Sequence, residues 1–297
     1  MELKQKIWLI LLLLSGAGLS FLVVRYEVQV EKPATLAPIF QLLGKPVKTM
    51  DRAFTKILPV NDMDEKELGD AIADRYSSYT NDSSRDYLYV QSIVSGLTVD
   101  NKKGFSYRAF ILEDPHPNAF AMPGGIIFVT TGLLNLLQSE AELAAVIGHE
   151  IGHIELSHCM DGVRFELLTR KIGSATLGEI ADIAVGLLLR PSFSKNQEAE
   201  SDEYGYQILQ RELYDLSAMG TTFQRLKEAS DSQGTQSTPL EEYFMTHPYL
   251  EHRSEKYANQ AKVDFKMSEI YYVGRRNLKE RINRWEEDFP EEHLKGK

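Results

Sequence analysis

The segment from Ser139 to His158 constrains this 297-residue chain more than any other. Ser139, with Glu142 three residues on, has capping-box spacing, and Leu143, Val146, Ile147, Ile151 and Ile154 come after it at helical intervals. A helix from Ser139 to about His158 is predicted. His149 and His153 stand on it four residues apart, about 400° of helix rotation, so both imidazoles project from one face a turn apart. Two imidazoles in that relation can bind one metal ion. Glu150 leans over the same face, where it can reach a water at the metal without being a ligand, the place of a general base. The pentapeptide has the form H-E-x-x-H. Gly148 and Gly152 each cost about 1 kcal/mol of helix propensity against alanine, which predicts a second element packed close to this backbone.

A catalytic zinc takes three protein ligands and leaves a fourth position open. The extended pattern that would place a third histidine downstream fails, because position 156 is Leu and 159 is Cys; the inverted H-x-x-E-H pattern fails too. His158 falls about 140° from the metal face of a continuous helix and is expected to be a helix-end residue. A carboxylate from elsewhere is therefore required. In Glu198-Ala-Glu-Ser-Asp202, on the next predicted helix, Glu198 and Asp202 share one face. Taken alone, with Glu200 and Glu203 nearby, this stretch would be a solvated charged face. Beside H-E-x-x-H, Glu198 is expected to ligate, while Asp202 accepts the outer N–H of a zinc histidine and fixes its tautomer.

Composition narrows the function further. Apolar residues make up 43% and charged residues 26%, ordinary for a globular protein. The net charge of −10, without a basic block in the central region, excludes a nucleic-acid partner. A single cysteine, Cys159, excludes an intrachain disulfide and a cysteine-based zinc finger, and is expected to be a packed thiol.

Residues 1–25 carry Lys4 and Lys6 ahead of an uncharged apolar run, Ile7 to Val24. Three readings compete: an uncleaved membrane anchor, a cleaved signal peptide with Ser15, Gly16 and Ala17 after its apolar core, or a buried structural helix. The first two place the rest of the chain outside the cytoplasm, either anchored on the extracytoplasmic side of the cell envelope or soluble in the periplasm. Residues 26–61, with Pro33, Pro38, Pro46 and Pro59, are expected to be a linker. Helices are expected over about 63–79, 85–97, 196–211 and 217–228, with further helical segments in 163–190. Strands are expected at 105–112 and 126–130, a punctuated loop between them, and another loop at 230–239. The main domain is taken as 62–260, and 261–297 as a peripheral helical tail. The fold class is α+β, predominantly helical.

Several motifs stand in a telling order: Asn118-Ala-Phe-Ala-Met-Pro-Gly-Gly125, Glu142-Leu-Ala-Ala-Val-Ile-Gly-His149 with Glu150 and His153, Glu198 with Asp202, and Thr246-His-Pro248 with Arg253. Together they resemble the HtpX-like and CAAX prenyl protease family of gluzincin zinc metallopeptidases, over roughly residues 62–260. The resemblance implies a mostly helical catalytic domain holding one Zn2+ per chain, with a small sheet whose edge strand binds substrate. Asn118, Ala119, Phe120 and Ala121 would form that edge. It also implies that His247 and Arg253 line the zinc cleft, as second donors to the oxyanion. His247 has a further reading, as a resting fourth ligand that moves off when substrate arrives. Absence of multiple membrane spans makes the chain similar to exported, single-domain members concerned with envelope protein quality control, and the implied substrates are unfolded polypeptides. A different class of function, a zinc-bearing holdase that does not cleave, is distinguished by Glu150, for which a pure binder has no use.

Overall fold

The computed structural model describes residues 62–77, 83–161, 163, 193–231, 247, 250–266 and 268–295. The apolar run 7–24, the linker 26–61 and nearly all of 163–190 and 230–239 lie outside the described residues. All described residues belong to one unit, Arg52–Lys297, and no helix among them is long and apolar enough to cross a membrane.

The order begins with α1 (Asp62–Tyr76) and α2 (Arg85–Leu97), the latter capped by the Ser84 hydroxyl, which accepts from the Tyr87 amide. Three strands come after them, β1 (Arg108–Leu112), β2 (Ala119–Met122) and β3 (Ile126–Thr130). Next come α3 (Thr131–Leu136), α4 (Glu140–Glu155), α5 (His158–Asp161), α6 (Lys195–Arg211), α7 (Ala218–Asp231) and α8 (Leu250–Asp264). β4 (Ile270–Tyr272), α9 (Arg275–Glu280), a 3-10 turn and β5 (His293–Lys295) complete the chain. The fold is mostly helical with a small sheet, as its patterning predicts. The first strand begins at 108 rather than 105, and the patterning does not signal α3 or α8.

The sheet has the order β1-β3-β2, with β1 parallel and β2 antiparallel to β3. Its register aligns Phe110, Phe128 and Phe120 in one row across the three strands. The rings stack at 5.0 and 4.8 Å between centroids, and Tyr76 of α1 closes on Phe128 edge-on at 5.7 Å. Ala109, Ile127 and Ala121 lie on the opposite face, and α2 and α4 pack against the sheet. Gln91 of α2 blocks the outer edge of β1: its amide oxygen accepts from the Ala109 N–H at 2.8 Å and its amide nitrogen donates to the Tyr107 carbonyl at 3.1 Å. β2 is the other edge. The turn joining it to β3 runs through Gly124 and Gly125 at φ +75° and +90°, a conformation in which a side chain would be strained.

α4 is buried from Glu140 through Ile154. Its first turn is only half a capping box: the Ser139 hydroxyl accepts from the Glu142 amide, but the Glu142 carboxylate accepts from the Gln138 amide and pairs with Arg225 at 3.0 Å. Glu140 has three donors from distant parts of the chain, the hydroxyls of Tyr89 and Tyr214 and the amide of Arg284. Burial nevertheless outweighs them and pushes its carboxyl up to about 7. The backbone amides of Glu140 and Ala141 donate to the carbonyls of Gly274 and Val273, so residues after 270 close the start of this helix.

The element predicted to press on Gly148 and Gly152 is α6. A methyl group added to Gly148 would come within 3.1 Å of the Gly205 Cα, and one added to Gly152 within 2.9 Å of the Ser201 Cα. The same contact seen from α6 is tighter, since a methyl on Gly205 would lie 2.8 Å from the His149 backbone nitrogen. Gly205→Ala therefore gains about 1 kcal/mol of helix propensity but loses about 1–3 kcal/mol to overpacking. A net loss of stability in urea unfolding, with weakened metal binding, is expected; a variant as stable as the parent would show that the helices can part without cost.

Candidate metal centre

The close approach of α4 and α6 carries two histidines and a glutamate into one buried cluster. His149 and His153 face each other with their Nε2 atoms 3.0 Å apart. Glu198, in the first turn of α6, brings Oε1 to 3.3 Å from His153 Nε2 and Oε2 to 3.7 Å from His149 Nε2. α6 begins one residue earlier than expected, because Ser194 and Gln197 form a complete capping box that orients this first turn. His247 completes the group, its Nδ1 lying 3.2 Å from His149 Nε2 and 3.1 Å from Glu198 Oε1. One ligand atom from each of the four falls within 4.8 Å of the others, and all four residues are buried.

The outer nitrogens explain why the inner ones converge. His149 Nδ1 lies 2.8 Å from Asp202 Oδ1. Although burial opposes ionisation, the Arg253 charge and the His149 hydrogen bond hold the Asp202 carboxyl below its usual range, so it accepts. His149 therefore carries its proton on Nδ1 and turns an Nε2 lone pair inward. His153 Nδ1 faces His158 Nδ1 at 3.1 Å. A second lone pair turned inward from His153 Nε2, 3.0 Å from the first and beside an anionic carboxylate, would be repelled unless a cation lay between them. The donor set of imidazole nitrogens and one carboxylate oxygen suits a divalent transition metal.

Burial alone would raise Glu198, but the imidazoles of His247 and His153 outweigh it and hold the carboxyl well below the usual range. Burial likewise drives the His153 imidazole well below its ordinary value. Both shifts favour the deprotonated, ligating form. Glu150 differs. Its two oxygens are buried with no side-chain hydrogen-bond partner among the described residues, and burial raises its carboxyl despite His247 and His149 nearby. The Nε2 of His247 lies 3.6 Å from Glu150 Oε1. For His247 itself burial works against the charge, yet Glu198 and Glu150 prevail and raise its imidazole.

Arg253 comes from α8, a helix that no capping motif announces. Its signal is the spacing of Leu250, Arg253, Tyr257 and Ala261, the buried face of that helix. The guanidinium donates to both Asp202 oxygens at 2.8 and 2.6 Å, reaches Glu198 Oε2 at 2.8 Å, and lies over the Phe223 ring. No sequence pattern points to Phe193, whose ring stacks on His153 with centroids 3.7 Å apart.

The 118–122 stretch is split between strand and approach. Ala119, Phe120 and Ala121 lie in β2, and Asn118 precedes it, tied by its backbone to Thr130. β2 runs beside α4. The Ala121 amide is among the groups that ease the burial of Glu150, and the Ala121 carbonyl accepts from the Cys159 thiol at 3.5 Å. Cys159 is fully buried, as a packed thiol should be.

Comparison with known proteins agrees with this geometry. Residues 85–260 match Peptidase family M48. Over 157 residues the chain is 34% identical to "Mitochondrial metalloendopeptidase OMA1" of Arabidopsis thaliana, covering 51% of this chain and 31% of that protein. Identity to "Metalloprotease LoiP" of Escherichia coli is 30% over 174 residues, 55% of this chain and 66% of the relative. With "Beta-barrel assembly-enhancing protease" of Escherichia coli it is 28%, over 52% of this chain and 34% of the other. The chain thus matches between about a third and two thirds of the length of these relatives. A pattern shared over more than half the chain, taking in the helix that presents His149 and His153, makes this protein a member of the M48 family of metallopeptidases.

Proposed function

We propose that this protein is a zinc-dependent metalloendopeptidase, with His149, His153 and Glu198 holding one zinc ion and Glu150 acting as general base. The observation that carries the reading is Glu150, a carboxylate buried without a side-chain hydrogen-bond partner among the described residues, beside a set of convergent atoms able to bind a metal. Zinc, when bound, acidifies a water and polarises the scissile carbonyl. Glu150 takes the proton of that water and passes it to the departing amine, a task suited to a carboxyl whose burial raises its proton affinity. His247, with its imidazole favoured in the charged form, donates to the oxyanion of the attacked carbonyl. Arg253, whose N–H groups are directed at Asp202 and Glu198, holds the ligand and the residue that orients His149. Substrate lies along Asn118–Ala121 as an added strand, which recognises main chain and favours unfolded polypeptides.

The apolar run Ile7–Val24, read as anchor or signal, supports a place in the cell envelope and a role in protein quality control there. The Escherichia coli relative named for enhancing β-barrel assembly is in keeping with that role. The alternative is a zinc-bearing holdase.

Three outcomes test the reading. Full-length Glu150→Gln, compared with wild type in detergent, should keep one zinc and lose about 10²–10⁴-fold in degradation of unfolded casein. Unchanged cleavage removes Glu150 from the chemistry, and zinc binding without cleavage by either protein favours the holdase. His247→Ala should retain zinc and lose about 10²–10³-fold in turnover; higher activity would instead make His247 a gate that occupies the metal's fourth position. Because the His153 imidazole is held well below 6.5 and Glu198 well below 4.5, protons compete for these ligands only in acid. Zinc content should stay constant as pH falls to 6.5 and decline only well below it, so release centred above that value would contradict the assignment.

A further inference from the structure

His158 belongs to neither the ligand set nor the catalytic groups, yet it is buried against them. The sequence places it off the metal face because a continuous helix would carry it there. The chain does not continue as one helix. α4 ends at Glu155, Ser157 turns back at φ +61°, and α5 starts at His158. The reversal brings His158 Nδ1 to 3.1 Å from His153 Nδ1. Its Nε2 lies 3.1 Å from the half-exposed Glu200 carboxylate, and the Ser201 hydroxyl is 3.2 Å from Nδ1.

The proton positions can be assigned one after another. A carboxylate can only accept, so His158 carries its proton on Nε2 and donates it to Glu200. Its Nδ1 is then a lone pair, which accepts the Nδ1–H of His153 at 3.1 Å, the nearer of the two donors that face it, the Ser201 hydroxyl lying at 3.2 Å. His153 is thereby left with an Nε2 lone pair aimed at Glu198 and His149. We infer that His158 is a positioning residue, the acceptor that fixes the tautomer and ring plane of the ligand His153, and that Glu200 in turn fixes the tautomer of His158. The two ligands are held by different means from one short stretch of α6: His149 directly by Asp202, His153 through His158 by Glu200.

This inference rests on the metal-site reading but not on peptide hydrolysis. It is tested on the full chain by competing zinc away with a chromogenic chelator and by recording the visible spectrum of the cobalt(II)-loaded protein. His158→Leu should bind zinc about 10–100-fold more weakly and shift the cobalt bands. His158→Asn, whose amide oxygen can stand where Nδ1 stood, should recover most of the affinity and the wild-type spectrum. Glu200→Leu should weaken binding in the same direction by less. His158→Leu with wild-type affinity and spectrum would overturn the inference, as would His158→Asn behaving no better than His158→Leu, which would mark a packing role. Wild-type behaviour of Glu200→Leu would remove Glu200 from it. If zinc affinity keeps this order while wild type leaves casein intact, the positioning role stands and the peptidase reading falls.

Discussion

The backbone contact between α4 and α6 is the constraint on which the rest of this structure depends. Gly148 against Gly205, and Gly152 against Ser201, allow the two helices to approach more closely than side chains would permit. At that separation the side chain of Glu198 reaches both histidines, and Asp202 reaches the outer nitrogen of His149. A wider gap would leave the ligands on two unconnected surfaces. The glycines thus trade local helix propensity for a site that neither helix can form alone.

That approach gathers an unusual amount of buried charge. Glu150, Glu198 and Asp202 are all shielded from solvent, with the Arg253 guanidinium among them and the imidazoles of His149, His153 and His247 around them. Such a cluster is costly unless its charges are matched. Arg253 matches Asp202 with two hydrogen bonds and touches Glu198. A divalent cation would supply the remaining positive charge where His149, His153 and Glu198 converge. A metal held there would therefore take part in the electrostatic balance of the core as well as in its chemistry, and its removal would loosen the α4–α6 pair.

Much of this is legible in the sequence because it is local. The H-E-x-x-H spacing fixes both imidazoles to one helix face, and the glycines beside them announce a close neighbour without naming it. Glu198 and Asp202 can be paired because four residues separate them on one helix. The features that escape depend on a break in regularity or on long-range packing. His158 is a helix-end residue outside the metal-binding group, as expected, but the break that carries it back beside His153 escapes the sequence, because Ser157 adopts a left-handed conformation that no local preference for serine foretells. α8 is short of apolar residues, with an arginine on its buried face, so its periodicity is visible only once Arg253 is known to face inward. The 118–125 stretch shows both turn and strand character because β2 is four residues long and runs straight into a glycine turn.

The start of α4 has a consequence for how the protein matures. Glu140 is held by Tyr89 from before the helix, Tyr214 from well after it, and Arg284, 144 residues downstream. The family pattern ends at 260, short of Arg284 and of the Gly274 and Val273 carbonyls that receive the first amides of α4. During synthesis the helix bearing His149 and His153 would emerge early, yet its first turn cannot be closed until residues through Arg284 have emerged as well. Assembly of the site is in this way tied to synthesis beyond residue 284, so a nascent chain shorter than that would lack the closed first turn of α4.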